Sequence, residues 1–149
     1  MAKDPEAVLP EGTPPGPNLR ASPWSGVRNA AYFGPMQPQA PSRFAVFMGP
    51  DPHPQSEDSL RLNVWTPAAD DRRRPVLVFI HGGAWQQGTA ESYAFPAELF
   101  VNAGVHYVVP DFSWIQDVGD SLYPIADQLR RAVAWVYRNA EEFGGNPDR

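Results

Sequence analysis

The chain of 149 residues contains no cysteine. That absence excludes a disulfide framework, a thiolate nucleophile and any cysteine-ligated metal. Histidine is scarce, with His53, His81 and His106 the only three. No apolar stretch approaches the roughly 20 residues that a membrane span needs. The first residues, Met1-Ala-Lys-Asp-Pro-Glu6, lack the basic-then-apolar pattern of a signal peptide. There is no basic stripe: the formal net charge is −5, which argues against nucleic acid as a partner. No G-x-G-x-x-G spacing offers a phosphate cradle, and no internal repeat is present. The expectation is a cytoplasmic chain with no cofactor, no metal, no nucleic-acid partner and no membrane attachment.

What is present is one domain's length of ordinary globular composition, 42% apolar and 19% charged. The 18 prolines are the exception, and they crowd into the first half. Residues 1–54 are rich in proline and glycine and cannot sustain a long helix or an inner strand, because proline removes a donor and fixes φ. They also hold Trp24, Val27, Tyr32, Phe33, Phe44, Val46 and Phe47, too many large apolar groups for a solvated tail. The reading is an extended segment wrapped over a domain at 55–149, with a short strand at Arg43 to Met48.

From residue 55 onward the periodicities are clear. Leu60, Leu62 and Val64 alternate with Arg61 and Asn63, which predicts a half-buried strand over 59–66. Arg72, Arg73 and Arg74 beside Asp70 and Asp71 read as a solvated loop. Val76 to Ile80 is an unbroken apolar run, expected to be a strand buried on both faces. A helix is expected over 95–103, and a second buried strand over 105–109. A longer helix is expected over 124–143, with Ile125, Leu129, Ala132, Val133, Val136, Ala140 and Phe143 on its apolar face. Strand, helix, strand, helix with short links is the pattern of an α/β fold, a mostly parallel sheet with covering helices.

The strand at 76–80 runs directly into His81-Gly82-Gly83-Ala84-Trp85. Two glycines at the carboxyl end of a sheet strand allow a sharp turn with exposed N–H groups, at the edge where α/β sheets bind ligands. Gly82, Gly83 and Ala84 are therefore expected to present amide donors to a developing negative charge. His81 is read as bracing the loop rather than as a general base. His53 reads as a surface residue and His106 as half-buried. Ser92, Ser113 and Ser121 are loop serines without a nucleophile pattern, and Asp111 and Asp117 read as solvated carboxylates.

The motif His81 to Trp85 resembles the HGGG-type loop of the α/β-hydrolase family of lipases and esterases. Trp24-Ser-Gly-Val-Arg-Asn-Ala-Ala31, Phe33-Gly-Pro35 and Ser56-Glu-Asp-Ser-Leu-Arg-Leu-Asn-Val-Trp-Thr-Pro67 are similar to the amino-terminal part of type-B carboxylesterases. Ser59 stands where that family has a cysteine, so the disulfide made there in relatives is absent. From about Val76 the similarity shifts towards arylformamidase-like hydrolases, on 94–104, 109–112 and 131–140. Phe143-Gly-Gly-Asn-Pro-Asp-Arg149 is common to both groups.

The resemblance implies acyl transfer: a serine on a strand–helix elbow attacks a carbonyl, a histidine takes its proton and an acid orients the histidine. It also implies that Gly83 and Ala84 are the oxyanion donors, with Gly82 making the bend and Trp85 beside the acyl pocket. Arg20 and Glu57 are implied to form a structural ion pair. No Gly-x-Ser-x-Gly occurs, so none of the catalytic triad is expected in these residues. The chain reads as the amino-terminal part of an ester hydrolase, apparently cut before the nucleophile and inactive alone. Its implied substrate, in the complete protein, is a small-molecule ester or amide. An arylformamidase-type amide hydrolase, and a non-catalytic interaction module or remnant of the fold, are the alternatives. Whether a second chain completes the site is left open.

Overall fold

The computed structural model describes residues 25–26, 32–41, 45–49, 54–56 and 58–149. Arg20, Trp24, Val27, Phe44, His53 and Glu57 lie outside them, and so does the expected Arg20–Glu57 ion pair. Where a strand was expected in the amino-terminal segment, the chain instead forms a single helical turn, α1 (Ala45–Met48), closed by Gly49 at φ +81°. The turn puts Val46 and Phe47 in solvent, at 87% and 86% exposure. With no strand beside them among the described residues, four residues satisfy their backbone more readily in a turn than in an isolated strand.

Three strands form one sheet, β1 (Leu62–Trp65), β2 (Val76–Val78) and β3 (His106–Pro110), in the order β1-β3-β2. β1 runs antiparallel to β3, with Asn63 opposite Val109, and β2 runs parallel to it, with Leu77 opposite Tyr107. Helix α2 (Ala97–Asn102) makes the crossover between the two parallel strands, and Gly104 follows it at φ +78°.

The doubly covered strand is β3. All five of its residues are buried. On one face Tyr107 and Val109 join Ala90 and Ala97, with Trp65 and Phe100 packed against them. Phe100 stacks on Tyr107 with centroids 5.2 Å apart. On the other face His106 meets Phe143 edge-on at 5.3 Å. His106 is thus fully buried rather than half-buried, and neither ring nitrogen has a partner among the described residues.

The run at 76–80 departs from expectation, because it lies at the edge of the sheet. Leu77, Phe79 and Ile80 remain 37%, 36% and 44% exposed. An apolar run records what a strand will tolerate as neighbours, and the strand order decides what it has. The start of its outer edge is occupied. The N–H of Arg74 donates to Gly144 O at 3.0 Å, Asn146 N–H to Arg74 O at 2.7 Å, and Val76 N–H to Arg149 O at 2.9 Å. Residues 144–149 therefore lie along β2 in parallel sense, as the Arg74–Gly145 bridge records.

Helix α3 (Leu122–Asn139) begins two residues before Pro124, because Ser121 caps it by accepting the Tyr123 N–H at 3.3 Å. A 3-10 turn, Ala140–Phe143, extends it to Gly144. Ile125 and Leu129 pack on Phe112, with Ile115 and Val118 beside them. The buried stripe includes Gln128 where the apolar pattern favoured Val133, which is 45% exposed. Gln128 is buried with its hydrogen bonds made: its Oε1 accepts Ser113 N–H at 3.0 Å and its Nε2 donates to Ser113 Oγ at 2.9 Å.

The arginine loop is tied down more firmly than a solvated one. Arg74 is half-buried and paired with Asp70, and that hydrogen bond holds the Asp70 carboxyl at about 2. Arg73 reaches Glu141 and Asn146. Among the described residues, no helix is long and apolar enough to cross a membrane, and no cluster of three or more histidines and carboxylates could hold a metal.

Candidate functional site

Gly83, Ala84 and Trp85 have φ of +120°, +54° and +63° in succession. Left-handed backbone is costly for residues with a Cβ, about 1–2 kcal/mol each, so the turn needs outside support. Part of it is internal: Gly83 O accepts from Gln86 N–H at 3.0 Å and Gln87 N–H at 3.2 Å. The rest comes from the loop after β3, where Ile115 N–H donates to Trp85 O at 2.8 Å. Trp85 leans on Phe112 at 5.4 Å.

Gly83 and Gly88 are fixed by crowding as well as by φ. A Cβ on Gly83 would lie 1.6 Å from Gln87 O, and one on Gly88 2.9 Å from Gly82 O. A Cβ on Gly82 would meet the Tyr93 hydroxyl at 2.9 Å. The amides of Gly83 and Ala84 donate no hydrogen bond to any described residue. Ala84 is exposed and Gly83 half-exposed. Tight turns of this kind gather successive N–H groups into anion-binding concavities.

His81 is buried at the root of the loop, between Phe112 at 4.3 Å and Tyr93 at 5.4 Å, both stacked. Its Nδ1 lies 2.8 Å from Gly82 O. Burial lowers its pKa, and the Gly82 carbonyl offsets this in part. The ring is thus packed at the root of the loop, with Nδ1 against the carbonyl of the next residue.

Sequence reasoning missed three supports. Asp111 is no solvated carboxylate: its side chain is 11% exposed, its Oδ1 accepts Ala90 N–H at 2.7 Å, and the same oxygen lies 3.7 Å from His81 Nε2. Burial pushes its carboxyl up to about 6, against the Ala90 hydrogen bond and the Arg61 charge. Gln39 Oε1 accepts Gly88 N–H at 2.8 Å, and Gln37 Nε2 donates to Gly88 O at 3.3 Å. The amino-terminal segment therefore holds the far end of the loop. Asp111, one residue past a strand buried throughout, was the legible signal of the three.

The three loop serines are otherwise engaged. Ser92 shares a hydrogen bond with Thr89 at 2.9 Å, Ser113 is held by Gln128, and Ser121 caps α3. The structure does not bring Asp117 to the loop: it sits in the 3-10 turn Ile115–Val118, its carboxyl raised by burial.

The model of the Carboxylesterase family matches residues 14–149. The chain is 34% identical to phenmedipham hydrolase of Pseudarthrobacter oxydans over 95% of its own length and 31% of that protein's. It is 36% identical to acetylcholinesterase of Gallus gallus over 85% of its length and 18% of that protein's. Its fold superposes on a Geobacillus stearothermophilus carboxylesterase with TM-score 0.62 and 34% identity, covering 84% of this chain and 27% of that one. The chain thus spans less than a third of the length of these relatives.

Proposed function

The chain belongs to the carboxylesterase family, and from that premise we propose that it supplies the oxyanion-binding part of a carboxylic-ester hydrolase. The observation that carries the reading is the pair of unengaged amides at Gly83 and Ala84, held in a turn that two glycines and two neighbouring loops enforce. When a nucleophile adds to an ester carbonyl, the oxygen becomes negative, and preorganised N–H groups stabilise it without rearranging. One such donor is worth about 3–4 kcal/mol of barrier. In this reading Gly82 makes the bend, Gly83 and Ala84 donate, His81 braces the loop and Trp85 borders the acyl group.

The nucleophile is proposed to come from outside residues 1–149. Gly-x-Ser-x-Gly is absent from the sequence, and Ser92, Ser113 and Ser121 each have a structural hydrogen bond. The outer edge of β2 beyond Val76 has no partner among the described residues, which supports a further strand pairing there. A cytoplasmic location belongs to the same proposal, since a chain without cysteine gains nothing from an oxidising compartment.

The test has two arms. The 149-residue chain alone should not hydrolyse p-nitrophenyl acetate above a buffer blank. The product of the whole coding locus should hydrolyse it, and should lose about 100-fold or more when Gly83→Ala disrupts the turn. Turnover by the short chain that disappears on replacing one of its own serines would refute the proposal. So would a full-length esterase indifferent to Gly83→Ala.

A further inference from the structure

The histidine at the root of the loop faces two acceptors and no donor. Its Nδ1 lies 2.8 Å from the Gly82 carbonyl, and its Nε2 lies at ion-pair distance, 3.7 Å, from Asp111 Oδ1 and makes no hydrogen bond among the described residues. A neutral imidazole carries one N–H. With the proton on Nδ1, the Nε2 lone pair confronts a carboxylate oxygen. With the proton on Nε2, the Nδ1 lone pair confronts a carbonyl oxygen at hydrogen-bonding distance. Both contacts become favourable only when the pair His81–Asp111 holds one proton more than neutral imidazole and carboxylate together. Oδ1 already accepts the Ala90 N–H, and it can accept a second hydrogen bond from Nε2.

We propose that His81 and Asp111 hold one shared proton, and that Asp111 is thereby a positioning residue that locks both flanks of the 82–89 loop. His81 enters the loop and Ala90 leaves it, so one carboxylate oxygen spans both ends. Burial disfavours a lone charge on either group, but the pair is net neutral whether the proton sits on nitrogen or on oxygen. Losing that proton as pH rises leaves a buried carboxylate against a lone pair, and the loop loosens.

The other charged and titratable groups facing the pair are few. Arg61, from the stretch leading into β1, lowers the Asp111 carboxyl, and Glu91, beyond the loop, raises it. Arg61 also bonds Pro35 O and lies 3.9 Å from Asp58. Tyr93 stacks on the ring of His81, and Phe112 closes the other side. Arg61 and Glu91 oppose each other, which leaves the two partners to set the proton's position between them.

That the loop binds an oxyanion rests on the proposed function; the shared proton does not, and its test uses no substrate. Side-chain 15N spectra of His81 in the 149-residue chain, followed from pH 4.5 to 8.5, should show both nitrogens proton-bearing or hydrogen-bonded through pH 5–6. Asp111→Asn keeps an oxygen for the Ala90 N–H and removes the charge, so it should lower the His81 transition by at least one pH unit. The amides of 82–89 should then exchange faster at pH 5–6 in the variant than in the parent. Identical His81 transitions in the two proteins would overturn the proposal, because a merely structural Asp111 would leave the titration in place. If the variant fails to fold, the parent decides alone. Asp111 13Cγ and His81 15N shifts that move through one common transition support the shared proton, and independent transitions refute it.

Discussion

Replacing Gly83 by alanine tests the loop at its tightest point. The added Cβ would lie 1.6 Å from Gln87 O and 2.6 Å from the Gln87 carbonyl carbon, so backbone must move by more than an ångström. The residue also sits at φ +120°, where a side chain is strained by about 1–3 kcal/mol. Opening the turn gives up the two hydrogen bonds into Gly83 O, about 1 kcal/mol net each. A turn that opens while residue 83 stays near φ +120° would therefore cost about 3–5 kcal/mol. A loop free to rearrange costs less, with the difference appearing as lost geometry at 82–88. Ala84→Gly, one residue on, should behave in the opposite way. Ala84 at φ +54° gains roughly 1–2 kcal/mol of relief, offset by about 0.5–1 kcal/mol of added unfolded-state entropy, so stability should hold or rise slightly. Urea unfolding followed by tryptophan fluorescence, with amide shifts for 82–88, separates the two. A Gly83→Ala chain within 0.5 kcal/mol of the parent and with unchanged amide shifts would refute this account of the turn.

Two further outcomes follow from neighbouring features. Asp111 has a folded pKa of about 6 against 3.8 unfolded, so its cost to stability is absent below about pH 4, grows between 4 and 6, and is complete above 6. Asp111→Asn should therefore match the parent near pH 4 and exceed it at pH 7.5, by up to about 3 kcal/mol; equal differences in urea midpoint at both pH values would contradict the linkage. Ile80→Lys, at the open edge of β2, should reduce self-association of the chain in sedimentation velocity, and unchanged association would remove that edge as its cause.

The order of elements was legible because each rests on local chemistry. Pro124 and Gly144 mark the two ends of the long helix whatever surrounds it, and the run 105–109 is followed by a proline. The burial of those elements was not legible to the same degree. Two runs of five residues, 76–80 and 105–109, both read as buried strands, yet the one carrying His106 and Tyr107 is the central strand while the wholly apolar one lies at an edge. Strand order is a long-range property, and nothing within either run encodes it. Val133 and Gln128 exchanged places for a related reason. The buried polar position is set by Ser113, fifteen residues away, whose backbone and hydroxyl both need a partner.

The site divides along the same line. The turn itself was legible, because two glycines after an apolar run signal a sharp bend, and Gly83 follows a backbone that a Cβ would block. Its supports were legible only at Asp111, since they come from three separate parts of the chain: Gln37 and Gln39 from the proline-rich segment, Asp111 from the end of β3, and Ile115 from the loop beyond. Each acts on a different stretch of the loop: Asp111 on its two ends, the glutamines on Gly88, Ile115 on Trp85. Two unengaged amides and two left-handed non-glycine residues in one exposed turn would relax if any one region carried the load alone. Spreading the load explains why an irregular amino-terminal segment packs against this loop, and it makes 32–41 as much a part of the site as the glycines. Loss of Gln39 should then loosen Gly88 without touching Gly83, whereas loss of Asp111 should act on both ends of the loop.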